Sequence, residues 1–273
     1  MKNNNIVLFD MDGTLTEVRK EITKEMIYIL QKLSRIAKIG IVTGSDYDYL
    51  IDQCEDMWTC DNSVSPDNVL LMPCNGTKLY RWNPKHEKHT IEHDKDMRKE
   101  IGRSAYNDLL CSLTSHQIII MAQNDISYSG TFFQYRGSML NWCPTGRSAS
   151  IKEREEWISL DQKKGLREFW LNHLENRFKK EEINLSAALG GSTSVDIYPT
   201  GWDKTYSLNH VKDYTPWFVG DKCFKGGNDL TLYEALRKSG RGYSTSGPEE
   251  TIGIIHNIMS KIKNNKVHCD EKG

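Results

Sequence analysis

Asp10 and Asp12 stand two residues apart in Asp10-Met11-Asp12-Gly13-Thr14-Leu15-Thr16, directly after the apolar run 6–9. Two carboxylates at the end of a buried strand can share a small hard cation with oxygen ligands. With phosphate charge offset by such a cation, one Asp can attack phosphorus and carry the phosphoryl group. The other can move the proton of the leaving or attacking hydroxyl. Gly13 permits the sharp turn that brings both into one loop. Three later features fit the same chemistry. Thr43-Gly44-Ser45 offers a hydroxyl and backbone amides to a phosphoryl group. Lys204 could offset charge on an acyl phosphate. Asp221, with Asn228 and Asp229 after Gly226-Gly227, would complete a cation site.

These residues need a scaffold that places loops at the carboxyl ends of parallel strands, where open α/β sheets bind ligands. The sequence supplies one. Residues 6–9, 39–42 and 69–72 read as buried strands. Thr23 can cap a helix whose Met26, Leu30, Leu33 and Ala37 share a face, and a second helix is expected near 47–55. Asn75-Gly76 reads as a turn into a strand at 79–82. After Pro84 the pattern changes. Residues 86–96 read as a charged linker, followed by a helix near 96–113, strands at 117–122, 131–135 and 139–142, helices near 151–160 and 166–178, and strands near 185–189 and 195–198. Alternation returns with a helix near Lys204, a strand at 217–219, a helix after Asp229, a strand near 242–243 and a helix from Pro248 to about 263. The expected architecture is α/β: a Rossmann-like parallel-sheet core, residues 1–84 and 200–263, interrupted by an α+β cap with an antiparallel sheet, residues 85–199. A disordered polar tail is expected over 264–273.

With Asp10-x-Asp12, Thr43, Lys204, and Gly220-Asp221 with Asn228-Asp229 in that order, the chain resembles the haloacid dehalogenase superfamily in its four motifs. Asp at the second position resembles phosphatases and mutases rather than the superfamily's ATPases. Further strings resemble the eukaryotic-type phosphomannomutases: Phe9 to Thr16 with Arg19 and 22–26; Gly130-Thr131-Phe132, Arg136, Met139-Leu140-Asn141 and Pro144-x-Gly146-Arg147-Ser148; Gly190-Gly191, Ser194-x-Asp196 and Pro199-x-Gly201-Trp202-Asp203-Lys204. The resemblance implies Asp10 as nucleophile, Asp12 as acid/base, Thr43 and Lys204 as catalytic partners, and Mg2+ held by Asp10, Asp12, Asp221, Asn228 and Asp229. It implies a hexose phosphate substrate, a hexose 1,6-bisphosphate activator and a homodimer through the cap. Arg136, Arg147 and Arg154 would hold the distal phosphate, for which the guanidinium fork is suited. Ser194 and Asp196 would bind sugar hydroxyls, and Arg19 would reach the substrate from the core loop. Thr43-Gly44-Ser45 departs from the mutases' Gly-Gly-Ser toward the capped sugar phosphatases. The alternative activity is therefore Mg2+-dependent hydrolysis of sugar phosphates, and a binder without turnover is the non-enzymatic reading.

Composition narrows the field. Among 273 residues, 36 Lys and Arg balance 37 Asp and Glu for a net charge of −1, which gives nucleic acid or an anionic membrane little to attract. No apolar run approaches membrane length. The seven cysteines are odd in number and lack C-x-x-C spacing, which points to reduced thiols in the cytoplasm.

Overall fold

The computed structural model describes residues 4–60 and 63–270, with side chains as far as 264. The chain divides into two compact units. One comprises Met1–Asp94, Lys204–Lys225 and Asp229–Gly273; the other comprises Lys95–Asp203 and Gly226–Asn228.

The first unit begins with β1 (Asn5–Phe9), α1 (Lys24–Ser34), β2 (Lys38–Val42), α2 (Tyr47–Cys54), the short α3 (Asp56–Thr59) and β3 (Val69–Met72). Two antiparallel strands follow, β4 (Lys78–Asn83) and β5 (Lys88–Asp94). Thr23 caps α1 by accepting from the Met26 amide. The segment expected as a linker, 86–96, is mostly β5. Its charged residues belong to an edge strand: Glu92 pairs with Arg81 and Asp94 with Lys78 across β4, which is how exposed sheet edges are kept from pairing with other chains.

The second unit opens with α4 (Met97–Gln123), which is broken at Gly102 (φ 80°, ψ 159°). It continues through β6 (Phe133–Tyr135), β7 (Leu140–Trp142), α5 (Ile151–Lys164), α6 (Leu166–Lys180), β8 (Leu185–Gly190) and β9 (Ser194–Pro199). The strands form an antiparallel sheet in the order β6-β7-β9-β8. Residues 117–122, expected as a strand, are the last turns of α4. Gln117 and Ile120 are buried, whereas Ile118, Ile119 and Met121 are exposed. That alternation follows a helical period, and a short apolar run does not by itself separate the two.

The chain then returns to the first unit through a 3-10 turn, Lys204–His210, and β10 (Thr215–Gly220), α7 (Leu230–Arg237), β11 (Gly242–Ser244) and α8 (Pro248–Asp270). Residues 264–270 of the expected tail thus continue the last helix, and 271–273 lie outside the described residues. The seven-stranded sheet runs β11-β10-β1-β2-β3-β4-β5, parallel from β11 to β3. Its parallel strands are apolar on both faces, as strands covered on both sides must be. Val7, Phe9, Ile39, Ile41, Leu71 and Val219 pack with Leu30 and Leu33 of α1 and Ile255 and Ile258 of α8. The alternate residues Ile6, Leu8, Leu70, Met72 and Phe218 pack with Leu232 and Leu236 of α7. Each fully buried Ile, Leu or Phe contributes about 1.5–3 kcal/mol. Among the described residues, no helix is long and apolar enough to cross a membrane.

Among the described residues, each unit buries one histidine against aromatic rings. His89 on β5 lies edge-on to Trp58 and Trp82, and His116 on α4 packs against Trp170 and His173. Burial pushes both down to about 4, and the neighbouring His173 adds to the effect on His116. Folded, they stay neutral where the unfolded chain takes up protons near pH 6.5. Stability from this source is therefore full above about pH 6.5 and lost as pH falls toward 4. Each histidine should cost about 2 kcal/mol between pH 7 and pH 5. Urea melts at the two pH values should show the loss, and His89→Phe or His116→Phe should each remove a share of it.

Candidate active site

The site grows from the carboxyl ends of β1, β2 and β10. Asp10 continues β1 by one residue, its amide donating to the Val219 carbonyl at 3.0 Å. The loop then folds back: the amides of Thr14, Leu15 and Thr16 all donate to the Met11 carbonyl. Gly13 sits at φ 87°, and a Cβ there would fall 2.6 Å from Asp221 Oδ2. Both the backbone and the close approach of Asp221 therefore require glycine. Thr43, beyond β2, is buried, and its hydroxyl accepts from the Ser45 amide at 3.1 Å. Lys204 lies on the 3-10 turn with no exposed surface.

Carboxylate oxygens of Asp10, Asp221 and Asp229 lie within 4.8 Å of one another. Lys204 Nζ donates to Asp10 Oδ1 and, at 2.5 Å, to Asp229 Oδ1. The Lys222 amide donates to Asp229 Oδ2 at 2.9 Å, and Lys222 Nζ pairs with Asp221 at 2.9 Å. Three carboxylates thus meet two ammonium groups, which leaves one negative charge in excess. Burial, and then the Asp229 charge, hold Asp10 well above the usual carboxylate range, although Lys204 pulls the other way. Burial alone would depress Lys204, but Asp10 and Asp229 outweigh it and hold the ammonium above its ordinary value. Asp229 is kept low because Lys204 and the Lys222 amide overcome its burial. An all-oxygen cluster with surplus negative charge suits a hard divalent cation.

Asp12 does not join that cluster. Its Oδ1 accepts from the Arg19 amide at 3.0 Å, the Tyr49 hydroxyl at 3.1 Å and Gln53 Nε2 at 3.4 Å. Burial, reinforced by Asp12, pushes Tyr49 up to about 12, so it remains a donor. Arg19 is exposed at a left-handed φ of 64°, a conformation that delivers its amide to Asp12.

In the second unit, β7 and β9 place Asn141 directly opposite Asp196. Asn141 Nδ2 donates to Asp196 Oδ1 at 2.6 Å and to Ser194 Oγ at 2.9 Å, and Ser194 Oγ donates to the Gly190 carbonyl at 2.6 Å. Arg136, at the β6–β7 turn, pairs with Asp196 at 3.8 Å. Arg154 is buried on α5. Its guanidinium donates to the carbonyls of Ala149 (3.0 Å), Gly146 (3.4 Å) and Arg147 (2.6 Å) and to the Thr193 hydroxyl (3.2 Å). Arg154 therefore braces the loop that presents Arg147. Asn228 groups with this unit and its buried Oδ1 has no hydrogen-bond partner among the described residues.

Residues 26–261 match the sequence profile of the family described as eukaryotic phosphomannomutase. The chain belongs to that family. Curated phosphomannomutases agree along nearly the whole length. That of Dendrobium officinale is 35% identical over 249 residues, covering 90% of each chain. That of Schizosaccharomyces pombe is 34% identical over 264 residues, covering 93% of this chain and 94% of its own. The phosphomannomutase fold seen here also resembles solved structures at low identity. The Plasmodium falciparum IMP-nucleotidase superposes with a TM-score of 0.61 at 15% identity, over 93% of this chain and 62% of that one. The C-terminal domain of the C. albicans trehalose-6-phosphate phosphatase gives 0.54 at 14%, over 94% and 93%. At these identities the likeness is one of fold.

Within this phosphomannomutase-type enzyme, sequence reasoning missed Tyr49 and Gln53 on Asp12 and Thr193 on Arg154, and gave no role to Lys222 on Asp221 and Asp229 or to Asn141 on Ser194 and Asp196. Tyr49 and Gln53 lie one helical turn apart on α2, a spacing visible in the sequence. Nothing local says that this face meets a loop some forty positions earlier.

Proposed function

We propose that this enzyme interconverts mannose 6-phosphate and mannose 1-phosphate through an aspartyl phosphate on Asp10, primed by a hexose 1,6-bisphosphate. The observation that carries the proposal is the meeting of the Asp10, Asp221 and Asp229 carboxylates, with buried Lys204 bridging Asp10 and Asp229, in a chain of this family. In the first half, an Asp10 oxygen bonds to phosphorus as the phosphorus–sugar oxygen bond breaks. Asp12 gives its proton to the departing oxygen. In the second half, a hydroxyl of the hexose monophosphate attacks the same phosphorus, Asp12 takes its proton, and the Asp10 carboxylate is restored. Lys204 neutralises Asp10 and Asp229 throughout, and Thr43 supports the phosphoryl group. Asp10, Asp221 and Asp229 would hold Mg2+, which neutralises phosphate charge when bound.

A mutase must also hold the phosphate that does not react. Arg136 and Arg147 serve that end of the hexose, with Arg154 fixing the Arg147 loop. Ser194 and Asp196, set by Asn141, take sugar hydroxyls, and Arg19 reaches the substrate from the loop after Asp12. Phosphorus NMR tests the reading, with Mg2+ and mannose 1-phosphate, with and without a trace of glucose 1,6-bisphosphate. Activator-dependent mannose 6-phosphate with little free phosphate is expected. Free phosphate as the main product would make the enzyme a sugar-phosphate phosphatase, and no reaction in either tube would sink the choice of substrate.

A further inference from the structure

We infer that Tyr49, seconded by Gln53, is a positioning residue that fixes which oxygen of Asp12 handles the proton. The inference rests on the proposed acid/base role of Asp12. All three donors to Asp12 converge on Oδ1: the Tyr49 hydroxyl, Gln53 Nε2 and the Arg19 amide. Among the described residues, Oδ2 accepts no hydrogen bond. The carboxylate is therefore divided into an anchored oxygen and an oxygen left for substrate.

The anchors are themselves held. Asp46 caps α2 by accepting from the Tyr49 amide at 3.1 Å, which sets the first turn of the helix. Gln53 is buried, and its Oε1 accepts from the Thr16 hydroxyl at 2.8 Å, which orients its amide so that Nε2 faces Asp12. Its carbonyl accepts from the Ile22 amide at 2.8 Å. One face of α2 thus ties down both ends of the loop that carries Asp12. A carboxylate free to rotate would present either oxygen at varying angles, and misaligned acid/base groups lose rate steeply.

A leaving-group comparison separates orientation of the acid from general loosening. Acetate leaves from acetyl phosphate without a proton, whereas a sugar oxygen leaving from a hexose bisphosphate needs one. Acid-quenched phosphoenzyme formation would be measured for the wild type, Tyr49→Phe and Gln53→Met with acetyl phosphate and with glucose 1,6-bisphosphate. The variants should lose about tenfold in rate with the bisphosphate, with half-saturation within about twofold, while acetyl phosphate reacts within about twofold of wild type. An equal fall with both donors, no fall with either, or a gain with the bisphosphate would overturn the assignment while leaving the proposed function intact. Wild-type enzyme that accepts the phosphoryl group from acetyl phosphate and not from the bisphosphate would overturn the proposed substrate, and this assignment with it.

Discussion

Asp10→Asn should abolish turnover and, at the same time, stabilise the metal-free protein. The two effects have one origin. Asp10 is buried among Asp221 and Asp229 with only Lys204 and Lys222 to balance three carboxylates. Its surroundings disfavour its charge, burial first and Asp229 second. A neutral isostere removes the surplus charge and leaves Lys204 still paired with Asp229 at 2.5 Å. The amide is a poor nucleophile, so the phosphoenzyme cannot form by the proposed route. Loss of a covalent nucleophile costs on the order of 10^4-fold or more. Activity assays and thermal melts in chelator should therefore move in opposite directions, with turnover at background and the melting temperature up. The gain should vanish in Mg2+, because the wild type then recovers what crowding had taken. An unchanged or lowered melting temperature in chelator would mean that Lys204 and Lys222 already balance the cluster.

The same crowding explains why this site was legible in the sequence. Asp10 is conspicuous because a polar residue directly follows a strand buried on both faces, and Asp221 and Asp229 flank a glycine-rich loop after another. Their meeting follows from parallel topology, which brings the carboxyl ends of β1 and β10 side by side. Elsewhere the tertiary structure carried information that local patterns lack. Ile118 to Ile120 suggested a strand because β-branched runs favour one. Only the burial of Gln117, which accepts from the Trp142 indole and donates to the Pro144 carbonyl, shows why this face of a helix turns inward. β5 was hidden because an edge strand with one neighbour carries charge on either face. The boundary between the units therefore falls at 94/95 rather than near 84, since β4 and β5 extend the first sheet before the chain leaves it. Asn141 was visible within a family string, but its role depends on strand register: a shift of one residue would turn it from Asp196 to the opposite face.

Lys204→Met is expected to be among the most destabilising single changes in the chain. The ammonium is wholly buried and bridges Asp10 and Asp229, which are themselves buried. Methionine fills much of the volume but donates nothing, so two buried carboxylates lose their shared partner. Breaking a buried ion pair by removing one member costs about 3–5 kcal/mol, because the remaining charge stays uncompensated. Against a typical total of about 5–15 kcal/mol, the variant should fold but melt well below the wild type. The deficit should be cation-sensitive. If the three carboxylates form one cluster, millimolar Mg2+ should raise the melting temperature of Lys204→Met more than that of the wild type, since it supplies the charge that lysine no longer does. The double variant Asp10→Asn/Lys204→Met should recover part of the loss without Mg2+, because one of the stranded charges is gone. Recovery no larger than the gain that Asp10→Asn gives alone would place the two residues in independent environments, contrary to their contact. Recovery beyond that gain would identify the Lys204 ammonium as the charge that lets the proposed nucleophilic carboxylate stay buried before any cation or substrate arrives.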